Sequence, residues 1–257
     1  MAKRSPTIAL LRLGSCYVDQ SQLAVGLPEG LWMWAPVHAF LIRAADSVFL
    51  FDTGMPERLI DRPWSLFDPE GRHAGQGDAI MPVVRPQDAI TARLREAGFA
   101  PSGLDGAITS HWHFDHAGGM DALAGCPILA QRAEIEAAGA APERRGWWLR
   151  GEYELRALDG DTELVSGVRL LSTPGHTPGH QSLLVETAAG PYLFTSDAVY
   201  TRANWETDKP GAMHDPEMGL RSVARLKAVA RDTGATVVFS HDRGQLSELQ
   251  PFPHWYG

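Results

Sequence analysis

Cysteine is nearly missing from this chain. Only Cys16 and Cys126 occur in 257 residues. They form no CxxC or CxH pattern, so neither a disulfide framework nor a thiolate metal site is expected, and both thiols are read as free in a reducing compartment. Long hydrophobic runs are missing too, and no stretch approaches the length of a membrane span. Near the N-terminus, Arg12 interrupts the apolar residues that follow Lys3 and Arg4, and no small-residue cleavage site comes after it. A signal peptide is therefore not expected. Excess positive charge is lacking: the formal net charge is -8 with histidine neutral, which argues against a nucleic-acid surface. No Gly-x-Ser-x-Gly elbow and no Walker loop is present, so a serine nucleophile and a phosphate cradle of those types have no support. The expectation is a cytoplasmic globular protein with no nucleic-acid or membrane partner, its oligomeric state open.

What is present is a series of short apolar runs at 8–13, 39–43, 48–51, 107–109, 168–171, 182–185, 192–194 and 236–239. Their lengths and turn-rich flanks predict strands. Ser166-Gly167 reads as a hairpin turn. Helices alternate with the strands. One is predicted after Pro86, with Ile90 and Leu94 on one face and Gly98 at its end. Another is predicted from the N-cap Asp215 and Pro216 to Gly234, with Leu220, Val223, Leu226 and Ala230 on its apolar side. The segment 63–82 is the least regular and reads as a long loop, either functional or a plain insertion.

The decisive segment is His111-Trp112-His113-Phe114-Asp115-His116. Alternate residues of an extended chain face the same way. His111, His113 and Asp115 therefore converge, and His116 joins if the chain turns there. Three more candidate donors, His176, Asp197 and His241, each follow the end of an apolar run, as His111 does. Sites on sheet-based α/β proteins gather where loops leave the strand ends. Seven donors are too many for one tetrahedral ion and suit two ions sharing a carboxylate. Imidazole and carboxylate without thiolate fit zinc, with cobalt, manganese or iron as alternatives. Two divalent cations outweigh Asp115, Asp197 and a hydroxide, which leaves positive charge to attract a carbonyl. Trp112 is expected to point away from the donors. His180 is expected to be a structural hydrogen bonder.

These residues resemble the metallo-β-lactamase-fold hydrolases, whose His-x-His-x-Asp-His signature, later histidine, aspartate and final histidine occur in the same order over nearly the whole chain. Within that fold the chain is most similar to N-acyl-homoserine lactonases. Asp52-Thr53-Gly54-Met55-Pro56-Glu57, the run Thr173-Pro174-Gly175-His176-Thr177-Pro178-Gly179-His180-Gln181, and Ser196-Asp197-Ala198-Val199-Tyr200 carry that likeness. The resemblance implies an α/β protein, an αβ/βα four-layer sandwich, with residues 1–257 as a single domain. It implies that His111, His113 and His176 hold one divalent cation and that Asp115, His116 and His241 hold the other. Asp197 bridges them and Asp52 orients a ligand. It also implies a small-molecule lactone substrate opened by hydrolysis. Tyr200 polarises the carbonyl, Asp115 passes a proton to the leaving alkoxide, and Phe114, Phe67 and Trp64 wall the acyl tail. The stretch between Pro56 and Met81 is several residues longer than in those lactonases, which leaves chain length and lactone identity open. Other readings are a thioesterase or phosphotriesterase on the same site, an iron dioxygenase of this fold, or a metal-stabilised binding module.

Overall fold

The computed structural model describes residues 5–24, 26–66, 80–140, 149 and 151–257. Among them the chain runs β1 (Thr7–Asp19), β2 (Trp32–Ala44), β3 (Ser47–Phe51), β4 (Ile80–Val83), α1 (Ile90–Glu96), β5 (Gly106–Ile108), α2 (Phe114–Ala117), β6 (Ile128–Gln131), α3 (Arg132–Ala140), β7 (Leu155–Leu158), β8 (Thr162–Val165), β9 (Val168–Ser172), β10 (Gln181–Thr187), β11 (Gly190–Ser196), α4 (Arg202–Thr207), α5 (Pro216–Thr233), β12 (Thr236–Phe239) and α6 (Arg243–Glu248). Two sheets form, in the orders β4-β1-β2-β3-β5-β6-β7 and β12-β11-β10-β9-β8.

Strand alternation explains the layering. Ile8 and Leu10 of β1, Phe40 and Ile42 of β2, and Phe49 and Phe51 of β3 share one core with Val168, Leu170, Leu183, Val185, Phe194 and Val238 of the second sheet. The alternate residues Ala9, Leu11, Ala39, Leu41 and Leu50 belong to another core that includes Ile90 and Leu94 of α1. On the far side, Leu171, Leu184 and Leu193 pack with Leu226 of α5. Period-two side chains thus bury both faces of each sheet, and helices cover the outer ones. This is the αβ/βα sandwich. No helix among the described residues is long and apolar enough to cross a membrane.

Helix α5 starts and stops as its sequence dictates. The Asp215 side chain accepts from Met218 N, Pro216 occupies the first turn, and Gly234 ends the helix at φ 69°. Its buried face carries Gly219, Ser222, Val223 and Leu226. Leu220, expected on that face, is 45% exposed, because it lies about 100° round the helix from Gly219. Four strands, β4, β6, β7 and β8, were not foreseen; each is four residues long, and β4, β7 and β8 include no fully apolar run. β1 runs well past the predicted stretch through a register shift between Arg12 and Ser15.

Candidate metal centre

Every candidate donor leaves the same edge of the sandwich. His111 follows β5, His176 follows β9, Asp197 follows β11 and His241 follows β12. The first segment does not stay extended, as the sequence reading supposed. His113 is the extended N-cap of α2 (φ -77°, ψ 158°), and Asp115 and His116 lie within that helical turn. Neighbours on one turn, rather than alternate residues of a strand, bring the last two donors in.

The donors form two groups. In the first, His111 Nε2 lies 3.0 Å from His113 Nδ1 and 3.2 Å from His176 Nε2, and the last two are 2.9 Å apart. Asp197 Oδ2 is 3.7 Å from His111 Nε2 and 3.5 Å from His176 Nε2. In the second, Asp115 Oδ2 lies 3.6 Å from both His116 Nε2 and His241 Nε2, while Asp197 Oδ1 lies 3.2 Å from each. Tetrahedral ligands at zinc-like bond lengths stand about 3.3–3.4 Å apart. Both groups match that edge length, and Asp197 turns one oxygen to each.

The donors satisfy one another poorly. Three ring nitrogens in a mutual triangle offer at most a poor shared proton. His116 Nε2 and Asp197 Oδ1 are buried and form no hydrogen bond, although they face each other. Such orphaned groups are costly unless something binds between them. Burial pulls the His111 imidazole well below its usual pKa, helped by the neighbouring His116 and His113. Burial, then His113, takes His176 down to about 3. Both rings therefore stand neutral, as metal ligands must. Burial also pulls on His116, but Asp197, Asp115 and Asp52 outweigh it and raise this imidazole. Burial would raise Asp197, yet His116 and His241 hold it low. The carboxylates thus demand positive charge where two divalent ions would supply it.

In four of the five donor histidines the opposite ring nitrogen is held. His176 Nδ1 donates to Ala212 O at 2.7 Å and His241 Nδ1 to Pro36 O at 3.0 Å. His116 Nδ1 donates to Asp52 Oδ2 at 2.8 Å. His111 Nδ1 donates to Ser110 Oγ at 3.1 Å, and Ser110 Oγ donates on to Asp52 Oδ2 at 3.0 Å. With Nδ1 protonated in each of these four rings, every Nε2 lone pair faces its group of donors.

A family profile, the Metallo-beta-lactamase superfamily, matches residues 32–241, which spans all seven donors. The chain belongs to the metallo-beta-lactamase superfamily. Among its members, an N-acyl homoserine lactonase of Bacillus cereus is 41% identical over 244 residues, covering 94% of this chain and 95% of the relative. One of a Bacillus species is 39% identical over 246 residues at the same coverage. A solved N-acyl homoserine lactone hydrolase, with the product N-hexanoyl-L-homoserine bound at its catalytic metal centre, superposes with a TM-score of 0.89. It is 35% identical, and each chain is covered completely.

A cavity of about 270 Å³ opens over the donors. His113, Asp115, His176, Asp197, Tyr200 and His241 line it together with Phe114, Cys16, Val18, Leu23, Ala35 and Ile80. Tyr200 Oη sits 3.3 Å from His176 Nδ1. That nitrogen already donates to Ala212 O, so the phenol proton is free to point elsewhere. Burial, then Asp197 and Asp115, keeps the Tyr200 pKa well above its usual value, so the hydroxyl is a donor. Trp64 is 66% exposed and does not line the cavity. Phe67 lies outside the described residues. Both cysteines are free and buried, and burial raises the Cys16 thiol. Trp112 packs in the core, its Nε1 donating to Thr109 Oγ1 at 3.1 Å.

Sequence reasoning missed three residues that build the site. Glu134, 6% exposed, accepts from Trp112 N and from Gly179 N, both at 2.9 Å. One carboxylate thereby ties the His111 loop to the His176 loop. Gly179 is needed there, since a Cβ would press on the Glu134 backbone. Ser196 Oγ donates to Ser110 Oγ at 2.7 Å, which joins the bridging aspartate's strand to the Ser110–Asp52 network. Glu134→Ala is expected to leave two buried amides unpaired and to lower stability by about 2–4 kcal/mol. Thermal melting and metal retention measure this, and an unchanged melt would remove the linking role.

His180 lies beside the donors, its ring 5.3 Å from that of His111, yet it belongs to neither group. Its Nδ1 meets Thr173 Oγ1 at 2.9 Å and Thr173 O at 3.1 Å. Burial takes its pKa down to about 3. His180→Ala is expected to keep both metals and most of its turnover, losing about 1–3 kcal/mol of stability from the cavity. His176→Ala is expected to lose metal. Elemental analysis of the two variants decides, and the reverse pattern would overturn the donor assignment.

Proposed function

We propose that this protein opens the ring of N-acyl homoserine lactones by hydrolysis at a pair of divalent cations, with zinc the ion its donors suit best. The observation that carries the reading is the double group of donors bridged by Asp197 beneath a largely apolar cavity. The full-length similarity to N-acyl homoserine lactonases supports the substrate. His111, His113 and His176 would hold one ion, Asp115, His116 and His241 the other, and Asp197 both. When bound, the ions supply Lewis acidity and make water a competent nucleophile near neutral pH.

The chain's own residues do the rest. Tyr200 donates a hydrogen bond to the carbonyl oxygen as negative charge develops on it. Asp115 carries a proton to the ring oxygen as that oxygen leaves in this reading. Phe114, Val18, Leu23, Ala35 and Ile80 take the acyl tail and exclude water around the reacting ester. Residues 1–257 act as one domain in this reading. The free buried thiols are consistent with work in the cytoplasm.

The test is a hydrolysis screen of acyl homoserine lactones, thioesters and phosphotriesters with protein of known metal content, alongside oxygen uptake. The reading expects the lactones to give the largest kcat/KM and no oxygen consumption. A thioester or phosphotriester turned over faster than every lactone would move the substrate assignment to another hydrolase of the fold.

A further inference from the structure

A second cavity, of about 680 Å³, is larger than the one over the metal donors, and none of the seven donors lines it. Its walls come from β1, β2, β4, α1 and α6. Four arginines face it, Arg12, Arg85, Arg93 and Arg243, against two acids, Asp88 and Glu96. The acids are already engaged. Arg85 pairs with Asp88 through two bonds of 2.7 and 3.1 Å. Arg93 reaches Asp88 at 3.4 Å and Glu96 at 2.8 Å.

Two guanidinium charges are left without a carboxylate among the described residues. Arg12 spends one nitrogen, Nη2, on Leu246 O and Leu249 O at 3.1 and 3.2 Å. Arg243 is exposed and opens α6, and its guanidinium makes no hydrogen bond or ion pair among the described residues. It stands one helical turn before Leu246, on the side that faces the cleft. Both charges therefore line the same cavity, next to α6, in a chain whose net charge is -8. The remaining lining is largely apolar: Trp34 is 40% exposed, and Leu10, Val83, Leu246 and Phe252 accompany it.

We propose that this cleft is a second ligand site, for an amphipathic carboxylate. Arg243 and Arg12 take the carboxylate, and the tail lies against Trp34 and Phe252. A guanidinium fork matches a carboxylate in geometry and in charge. Asp88 and Glu96 on the same wall oppose a multiply charged anion, so a single carboxylate with an apolar tail fits better than a phosphate. Medium-chain fatty acids have this chemistry, and so do ring-opened acyl amino acids. The inference does not depend on the proposed lactonase activity. The cleft does adjoin the metal centre at Pro36, which lines it and whose carbonyl holds His241 Nδ1.

The test titrates metal-loaded protein with sodium decanoate by calorimetry and tryptophan emission. The proteins are wild type, Arg243→Gln, Arg243→Lys and Trp34→Phe. Decanoate is expected to bind a site that Arg243→Gln weakens about 10-fold or more, the scale of a lost charged hydrogen bond. Arg243→Lys keeps most of the affinity, and Trp34→Phe removes the emission change. Decanol is expected to bind wild type and Arg243→Gln alike. Hydrolytic kcat/KM stays unchanged in the Arg243 variants, which separates the cleft from the metal centre. Equal decanoate affinity in wild type and Arg243→Gln overturns the proposal. So does decanoate binding that is purely competitive with the hydrolytic substrate and has no second component.

Discussion

Asp197→Asn protein is expected to retain fewer than two metal ions and to lose turnover by on the order of 10³-fold or more, since both proposed cation sites use that carboxylate. Asparagine keeps the shape of aspartate but replaces one oxygen with an amide nitrogen that has no lone pair to give. Whichever way it turns, one group of donors loses its fourth corner. The charge matters as well: Asp197 stands 3.2 Å from both His116 Nε2 and His241 Nε2. Removing it leaves two imidazoles and a cation without their nearest counter-charge. His113→Ala is expected to act in the same direction by opening the other group. Elemental analysis and steady-state kinetics on both variants check this. Full metal content with normal turnover in Asp197→Asn would remove the bridging role.

Tyr200→Phe is expected to keep its fold and both metals while kcat falls roughly 10-fold to 100-fold. The ring is fixed by packing rather than by its hydroxyl. It is 6% exposed and meets the His176 and His241 rings edge-on at 5.6 and 5.4 Å. Gly211 leaves just enough room for it, since a Cβ there would run into the Tyr200 ring. Phenylalanine fills that space equally well, so only the hydroxyl proposed to donate to the developing oxyanion is lost. A single oxyanion donor can cost 10²–10³ when it acts alone, and two cations sharing the charge reduce its part. The loss is expected in kcat more than in KM, because the bond strengthens in the transition state. Unchanged kcat would make Tyr200 a packing residue.

The candidate donors could be picked out because His111, His176, Asp197 and His241 each follow a short apolar run, so the strand pattern and the histidines point to one sheet edge. The αβ/βα layering was legible through the family resemblance rather than through periodicity, and the apolar residues on both faces of β2, β9 and β10 agree with it. What stayed hidden depends on partners far away in the chain. Ser110 and Ser196 look like ordinary strand-end serines until 86 residues of separation close into one hydrogen bond. Nothing in the sequence around Glu134 marks it, yet α3 turns it inward onto two loop amides. β1 was cut short because the irregularity between Arg12 and Ser15, where Gly14 takes φ 104°, interrupts the alternation. Trp64 shows the opposite error: a large apolar residue in a loop suggested a pocket wall, and the chain exposes it.

The central claim is that two cations, held jointly through Asp197, make this chain a lactone hydrolase. Stripping the protein with a chelator and restoring zinc stepwise, while following hydrolysis of an N-acyl homoserine lactone, tests it directly. The account predicts negligible turnover without metal and a rise that levels off close to two ions per chain. Full turnover at one ion, or turnover that survives complete removal of metal, would contradict it.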